Sequence, residues 1–266
     1  MTARVFDFDR ALVRLPARSV VDALRVGVRP PRYGRVLAEH RAYVAALEAA
    51  GVAVDTLPAL EEHPDSVFVE DAAFVLGQAA ILLRPGAVSR FAEPVALAPA
   101  LNRHFAHIDA VDRGFVDGGD ILVLPDAILV GLSERTDATG ARRFCGLVGE
   151  LGRSARIVEP PPGLLHLKTG CALVDERTLL ALPELAPLFP GYEVLPTPDG
   201  EAAAANLLRV NGRILMAAGY PKTAAILAGR GVDLVALEAA EIALIDAGLS
   251  CMSLRWLSVS GSSGPA

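Results

Sequence analysis

Cysteine is scarce in this chain of 266 residues, which holds three, Cys145, Cys171 and Cys251. Their number is odd, and their spacing does not match the ligand spacing of structural zinc sites. The sequence therefore suggests neither a disulfide framework nor a structural zinc site. We expect all three thiols to be reduced.

Long apolar runs and basic clusters are also absent. No stretch approaches the roughly 20 apolar residues that a membrane span needs, and Asp7, Asp9 and Arg10 stand where a signal peptide would need an apolar segment. The net charge is -6 and the basic residues are scattered, whereas nucleic-acid-binding proteins usually carry a basic face. We therefore expect a cytoplasmic protein that binds neither membranes nor nucleic acid.

Domain organisation is simple. The chain is 52% hydrophobic, which is ample for one large α/β core, and no linker divides it. We predict a single catalytic domain over residues 1–259. The Ser/Gly/Pro-rich residues 260–266 are predicted to be a disordered tail.

Four hairpins can be read from apolar runs that short turns interrupt. They pair residues 72–75 with 79–83, 121–124 with 127–132, 171–174 with 178–182, and 207–210 with 213–216. The last pair is joined by Asn211-Gly212, a strong signal for a two-residue turn.

A helix and a further strand are predicted after each hairpin. The helices are expected at 93–105, 138–151, 184–188 and 223–229, and the strands at 108–111, 155–158, 193–195 and 234–237. The repeated unit is thus strand, strand, helix, strand. Its turn-to-turn spacing of roughly 36 to 50 residues is typical of propeller-like repeats.

A fifth unit is divided between the two ends of the chain. Residues 252–257 supply its first strand, and residues 5–8, 36–50 and 52–57 supply a second strand, a helix and a closing strand. The pattern predicts a five-bladed α/β-propeller of ββαβ units with pseudo-fivefold symmetry. An ordinary α/β domain with coincidental spacing is the alternative.

Chemically capable residues recur just ahead of these units, at Glu70-Asp71, Asp117-Gly118-Gly119-Asp120, His166, Asn206 and Cys251. Equivalent positions in such repeats converge on one centre. Several carboxylates beside a thiol and an imidazole invite a cation, and a planar guanidinium forms forked hydrogen bonds to carboxylates. No recognised metal signature is present, so we expect no metal.

Cys251 follows a polar, flexible approach and begins the last strand, where an exposed nucleophile would stand. Cys145 and Cys171 lie in apolar patterns typical of buried thiols. A structural role for Cys251 stays equally open on these residues alone. Of the five histidines, His166 is the best candidate base, because it occupies the same place in its unit as Cys251 does.

At this point the chain resembles the dimethylarginine dimethylaminohydrolases, of the five-bladed propeller group of guanidino-modifying enzymes. The similarity runs in order through PARSVVD (16–22), PDSVFVED (64–71), RPGAVSR (84–90), DGGD (117–120), GLSERTD (131–137), HLKTG (166–170) and SCMSL (250–254).

The resemblance implies that Cys251 attacks the guanidinium carbon of an Nω-methylated arginine and forms an S-alkylthiouronium intermediate. His166 protonates the leaving amine and then activates water to release citrulline. Asp117 supports His166. No cofactor is implied. Residues 25–34 resemble the family's mobile lid.

The substrate-binding residues implied by the resemblance are Leu24, Asp65, Glu70, Asp71, Arg90, Arg135 and Ile245. Asp71 is expected to grip the guanidinium, and the two arginines the α-carboxylate. The carbonyls of Leu24 and Ile245 are expected to meet the α-amino group, with Asp65 and Glu70 in the same pocket.

Some departures and alternatives remain. Some bacterial members carry Glu where Asp117 stands, and Asn206 has no assigned role. An arginine or agmatine deiminase, a non-catalytic propeller binding module and a zinc hydrolase are the competing hypotheses. The expected partner is a small-molecule substrate, and a homodimer stays open.

Overall fold

The computed structural model describes residues 3–258, whose strands form five separate three-stranded sheets. In each sheet the middle strand pairs antiparallel with one neighbour and parallel with the other. A short turn can join antiparallel neighbours, whereas parallel neighbours need a crossover. The predicted order of strand, strand, crossover and strand is therefore confirmed.

Four sheets follow one another along the chain. They contain β3 (Ala73–Leu76), β4 (Ala79–Leu82) and β5 (His107–Ala110), then β6 (Ile121–Val123), β7 (Ile128–Gly131) and β8 (Ala155–Val158), then β9 (Cys171–Leu173), β10 (Thr178–Ala181) and β11 (Glu193–Pro196), and finally β12 (Leu208–Val210), β13 (Arg213–Ala217) and β14 (Asp233–Leu237). The hairpin pairings predicted from the sequence are confirmed. Val210 pairs with Arg213 across the predicted two-residue turn.

The fifth sheet joins the two ends of the described chain. It consists of β15 (Ser253–Trp256), β1 (Arg10–Arg14) and β2 (Ala53–Leu57). The split unit is therefore confirmed, but its strand at residues 5–8 is wrong. Those residues form no strand, and Phe6 is buried in the core, so their apolar character reflects packing. The predicted tail at 260–266 lies outside the described residues.

Helices fill the crossovers. The α-helices are α1 (Tyr33–Ala49), α2 (Glu93–Leu101), α3 (Ala138–Glu150), α4 (Pro221–Gly229) and the short α5 (Ala240–Ala243). The helix predicted at 184–188 is a 3-10 helix, Pro183–Leu188. Its two prolines lack the N–H group that a longer α-helix would use. No helix among residues 3–258 has both the length and the apolar character needed to cross a membrane.

A short 3-10 turn precedes the first strand of every sheet. These turns are Val69–Asp71, Gly118–Asp120, Leu167–Thr169, Ala202–Ala205 and Leu249–Met252. They carry or adjoin the polar residues that recur in the sequence. The first strands of all five sheets also line one cavity of about 400 Å³. The repeated unit thus brings equivalent positions to a common centre.

Candidate active site

Cys251 lies in the 3-10 turn that leads into β15, and its side chain is buried rather than exposed as the sequence indicated. This expectation was wrong because neighbouring units cover the turn. Burial, reinforced by the carboxylates of Glu70 and Asp71, raises the pKa of the Cys251 thiol to about 12. The thiol is therefore protonated at neutral pH.

His166 lies beside a ring of carboxylates. Its Nε2 atom is 3.0 Å from Oδ2 of Asp117. Burial opposes the charge of the imidazolium, but Asp71, Asp117 and Asp120 outweigh burial and raise the pKa of His166 to about 9. The imidazole is therefore charged at neutral pH and can donate a proton.

Asp117 is fully buried and fixed on both sides of its carboxylate. Oδ1 accepts the N–H of Gly86 at 2.7 Å, while Oδ2 faces His166. The backbone N–H of Asp117 donates to Oγ1 of Thr136 at 3.1 Å. The shorter carboxylate therefore reaches the imidazole, and the prediction that Asp117 orients His166 agrees with this distance.

Asp71 and Arg90 form a buried ion pair of 2.7 Å. Burial disfavours the charge on Asp71, but Arg90 and His166 outweigh it and lower the pKa of this carboxyl group. Arg90 also holds Glu93 at 2.7 Å and donates to the carbonyl of Phe68 at 2.9 Å. Asp71 is therefore an anion, and Arg90 is already largely occupied by protein groups.

One small pocket collects most of the predicted site. It has a volume of about 40 Å³, and its lining includes Leu24, Asp65, Asp71, Arg90, Arg135, His166, Ile245 and Cys251. Oδ1 of Asp65 accepts the N–H of Leu24 at 3.1 Å. Within the described chain, the guanidinium of Arg135 has no hydrogen-bond or ion-pair partner. It is the available cation at this pocket.

The structure differs from the sequence prediction at Glu70. This residue does not line the small pocket, although its neighbour Asp71 does. Oε1 of Glu70 instead pairs with Nζ of Lys168 at 2.7 Å and with Nη2 of Arg255 at 3.0 Å. Its carboxylate faces the larger cavity because successive residues of the 3-10 turn point in different directions. We therefore drop Glu70 from the substrate contacts.

A metal ion could also be approached by Asp71, Asp117 and His166, since one ligand atom from each lies within 4.8 Å of the others. The carboxylates of this trio already accept hydrogen bonds from Arg90, Gly86 and His166. A metal would have to displace some of these donors. The geometry therefore suits a hydrogen-bonding cation better than a bare ion, and we assign no metal or cofactor.

Known proteins are similar to this chain over nearly its whole length. A family model described as N,N dimethylarginine dimethylhydrolase, eukaryotic, matches residues 32–170. An N(G),N(G)-dimethylarginine dimethylaminohydrolase of Pseudomonas aeruginosa is 37% identical over 254 residues, covering 94% of this chain and 100% of that protein. The chain belongs to the dimethylarginine dimethylaminohydrolase family. The resemblance in the sequence is thereby confirmed.

Other members of this family of C–N hydrolases support the assignment. The dimethylarginine dimethylaminohydrolase of Streptomyces coelicolor is 36% identical over 253 residues, covering 92% of this chain and 96% of that protein. A cysteine-to-serine mutant of the P. aeruginosa enzyme, solved with citrulline, superposes with a TM-score of 0.91, covering 94% of this chain and 100% of that one. The fold is therefore that of dimethylarginine dimethylaminohydrolases.

A more distant likeness concerns the fold alone. The N-terminal domain of ArgZ, an arginine dihydrolase from cyanobacteria, has a TM-score of 0.83 at 18% identity, covering 94% of this chain and 98% of that one. At this identity the likeness says nothing about substrate. The dimethylarginine dimethylaminohydrolase fold is thus shared with proteins of another activity.

Two supporting residues were marked by the sequence analysis but had no assigned role. Oδ1 of Asn206 accepts the Ser250 hydroxyl at 3.2 Å, so Asn206, which had no assigned role, braces the turn of Cys251. The N–H of Gly119 donates to Oδ1 of Asp71 at 2.8 Å, and a Cβ atom at Gly119 would lie 2.6 Å from the His166 ring. Recurrence ahead of a hairpin marked both positions, but only the packing shows what each one holds.

Proposed function

We propose that this protein hydrolyses Nω-methylated arginines, asymmetric dimethylarginine and monomethylarginine, to citrulline and dimethylamine or methylamine. The observation that carries the proposal is the small pocket in which Cys251 and His166 lie together with the anionic Asp71. A thiol, an acid and an anion in one pocket are the groups needed to bind a guanidinium and replace its amine by water.

Substrate binding is proposed to activate the nucleophile. Without substrate the Cys251 thiol keeps its proton, since burial and the carboxylates of Glu70 and Asp71 raise its pKa. A guanidinium bound by Asp71 adds a positive charge beside the sulfur, which lowers that pKa again. The proton is released to water, and the thiolate then forms a C–S bond to the guanidinium carbon.

Proton transfer is proposed for His166. The charged imidazole gives its proton to the departing nitrogen, so the C–N bond breaks and the amine leaves, with the S-alkylthiouronium group on Cys251. Neutral His166 then takes a proton from water, whose oxygen attacks the same carbon. The C–S bond breaks, citrulline is formed, and Asp117 holds the imidazole throughout.

The other end of the pocket suits a free α-amino acid. Arg135 offers a forked donor for an α-carboxylate. Asp65 and the backbone of Leu24 and Ile245 offer acceptors to an α-ammonium group. Arg90, the second predicted carboxylate ligand, would have to share its donors with Asp71 and Glu93. The carboxylate-binding Arg135 favours methylated arginine over agmatine, which keeps the ammonium group but lacks the carboxylate.

Entry of the substrate requires the pocket to open, because 40 Å³ is far below the roughly 300 Å³ at the lower end of ligand sites. We propose that residues 25–34 move as a lid. Val26 and Val28 in this segment are almost fully exposed. The N–H of Val26 donates to Asp246 at 2.6 Å, so this contact is one that opening would break.

We propose the overall architecture from the arrangement of the repeated units. The five sheets, whose first strands line one cavity, close into a five-bladed α/β-propeller that forms a single catalytic domain over residues 1–259. A cytoplasmic location is proposed from the sequence alone.

A substrate panel tests the proposed function. Purified protein should release citrulline from asymmetric dimethylarginine and monomethylarginine, with kcat/KM at least about tenfold above that for arginine, which is about 1.4 kcal/mol in transition-state binding. Agmatine should yield no product. Faster turnover of arginine would replace the proposal by a deiminase, and inertness towards every substrate would favour a binding module.

A further inference from the structure

Asp120 is a fully buried carboxylate that has no role in the proposed reaction. It ends the 3-10 turn Gly118–Asp120 and accepts hydrogen bonds from three donors in two segments of the chain. Oδ1 accepts the N–H of Leu167 at 2.8 Å. Oδ2 accepts the hydroxyls of Ser133 at 2.7 Å and Thr136 at 2.6 Å. These short bonds satisfy both oxygens.

Each of these three donors adjoins a residue of the site. Leu167 follows His166 directly. Oγ1 of Thr136 accepts the backbone N–H of Asp117 at 3.1 Å. Oγ of Ser133 accepts the backbone N–H of Arg135 at 3.0 Å.

The charge of Asp120 also reaches the site. Burial raises the pKa of this carboxyl group, against the effect of His166 and of its three donors. Burying a carboxylate is costly unless hydrogen bonds compensate, and an apolar side chain could fill the space without that cost. A buried anion with three donors from two segments of the chain is therefore better suited to fixing geometry than to filling volume.

We propose that Asp120 is a positioning residue, which ties the His166 segment, the Asp117 backbone and the turn of Arg135 into one hydrogen-bonded unit. The proton-transfer pair and the carboxylate-binding end are thereby set by one buried group. The kinetic part of this inference rests on the proposed function, whereas the spacing of the three segments does not.

Two substitutions separate the arms of the unit. Ser133→Ala releases the backbone N–H groups of Arg135 and Thr136 but keeps the Thr136 hydroxyl between Asp120 and Asp117. KM for dimethylarginine should therefore rise roughly tenfold while kcat changes less than about twofold. Thr136→Val releases Asp117, so kcat should fall roughly tenfold with little change in KM, because misplacing a catalytic group is costly. Ser154→Ala and Thr139→Val, at exposed positions, are the matched controls.

Asp120→Asn tests the role of Asp120 directly, because an amide cannot accept all three hydrogen bonds. We expect kcat to fall roughly 10- to 100-fold and KM to rise in the same variant. An NMR titration of the histidine rings gives a readout independent of turnover. The charged groups that face His166 are Asp71, Asp117 and Asp120, so its pKa should fall by at least about half a unit, while that of His40 stays unchanged.

The outcomes are separable. Equal effects of Ser133→Ala and Thr136→Val on kcat and KM, or an unchanged His166 pKa in Asp120→Asn, would overturn the positioning role. If the wild type turns over no methylated arginine, the proposed function fails and the NMR titration still decides the inference. If Asp120→Asn does not fold, the two hydroxyl variants, which keep the carboxylate, decide it.

Discussion

Two cavities of very different size adjoin the same turns of the chain. The larger, of about 400 Å³, is lined by Glu70, Lys168 and Ser250, among others. The smaller, of about 40 Å³, is lined by Asp71 and Cys251, which follow two of those residues in the sequence. Volume would select the first cavity, but the groups that can do chemistry lie in the second.

The turn that carries Ser250 and Cys251 contacts both cavities. Arg255 pairs with Glu70 at 3.0 Å and also donates to the carbonyl of Ser250 at 2.9 Å. Ser250 precedes Cys251 directly. The ion pair of Glu70 and Arg255, on the side of the large cavity, therefore fixes the turn that carries Cys251. The polar groups on the side of the small cavity face the substrate pocket.

The largest effect on turnover is expected from a matched pair of adjacent carboxylates. Asp71→Asn removes the carboxylate that faces the guanidinium and breaks one of the two ion pairs of Arg90, so kcat/KM should fall roughly a thousandfold. Glu70→Gln should lower kcat/KM by less than about tenfold, since it weakens an ion cluster outside the small pocket and leaves Asp71 in place. Steady-state citrulline assays on both variants measure the difference.

Circular dichroism is the control for this pair, because both substitutions change buried ion pairs and only folded protein can be compared. A loss for Glu70→Gln as large as that for Asp71→Asn would break the division between the cavities. It would return Glu70 to the substrate contacts that the sequence predicted.

The sequence predicted most of the fold because each hairpin has its own apolar pattern and turn. It failed at residues 5–8, where Phe6 is apolar through burial in the core, while the true strand β1 is bracketed by Arg10 and Arg14. An apolar run indicates burial but does not by itself indicate a strand. Strand β1 forms because it pairs with β15.

The sequence predicted which residues form the site but not the directions in which their side chains point. The repeat marked Glu70 and Asp71 together, yet only the 3-10 turn decides which carboxylate faces the substrate pocket. Arg90 was predicted to bind the substrate α-carboxylate, and its pairing with Asp71, 19 residues earlier in the chain, was not predicted. Direction and partner choice are tertiary properties that local pattern does not encode.

A smaller effect links the small pocket to folding. The pKa of His166 is raised from 6.5 to about 9 in the folded protein, so the folded state binds more protons between these values. The resulting stabilisation of ~3 kcal/mol is present below about pH 6.5 and lost as pH rises through about 9. Urea unfolding at pH 6.5 and 9.5 should show this loss.

His166→Gln is the comparison for the pH effect, because it removes the titrating group. The variant should lose less stability than the wild type over the same interval. An equal loss in both proteins would place the titration elsewhere and separate the acidic pocket from folding.

The most direct test of the account asks which sulfur makes the bond. A dimethylarginine dimethylaminohydrolase that is 37% identical to this chain has been solved as a histidine-to-glycine variant in an adduct with S-methyl-L-thiocitrulline, and the same compound can be applied here to His166→Gly. Intact-protein mass spectrometry should show one adduct formed with loss of methanethiol, and peptide mapping should place it on Cys251. The adduct should vanish when Cys251→Ser is added. An adduct that persists in the double variant, or that maps to Cys145 or Cys171, would contradict the assignment of Cys251 as nucleophile.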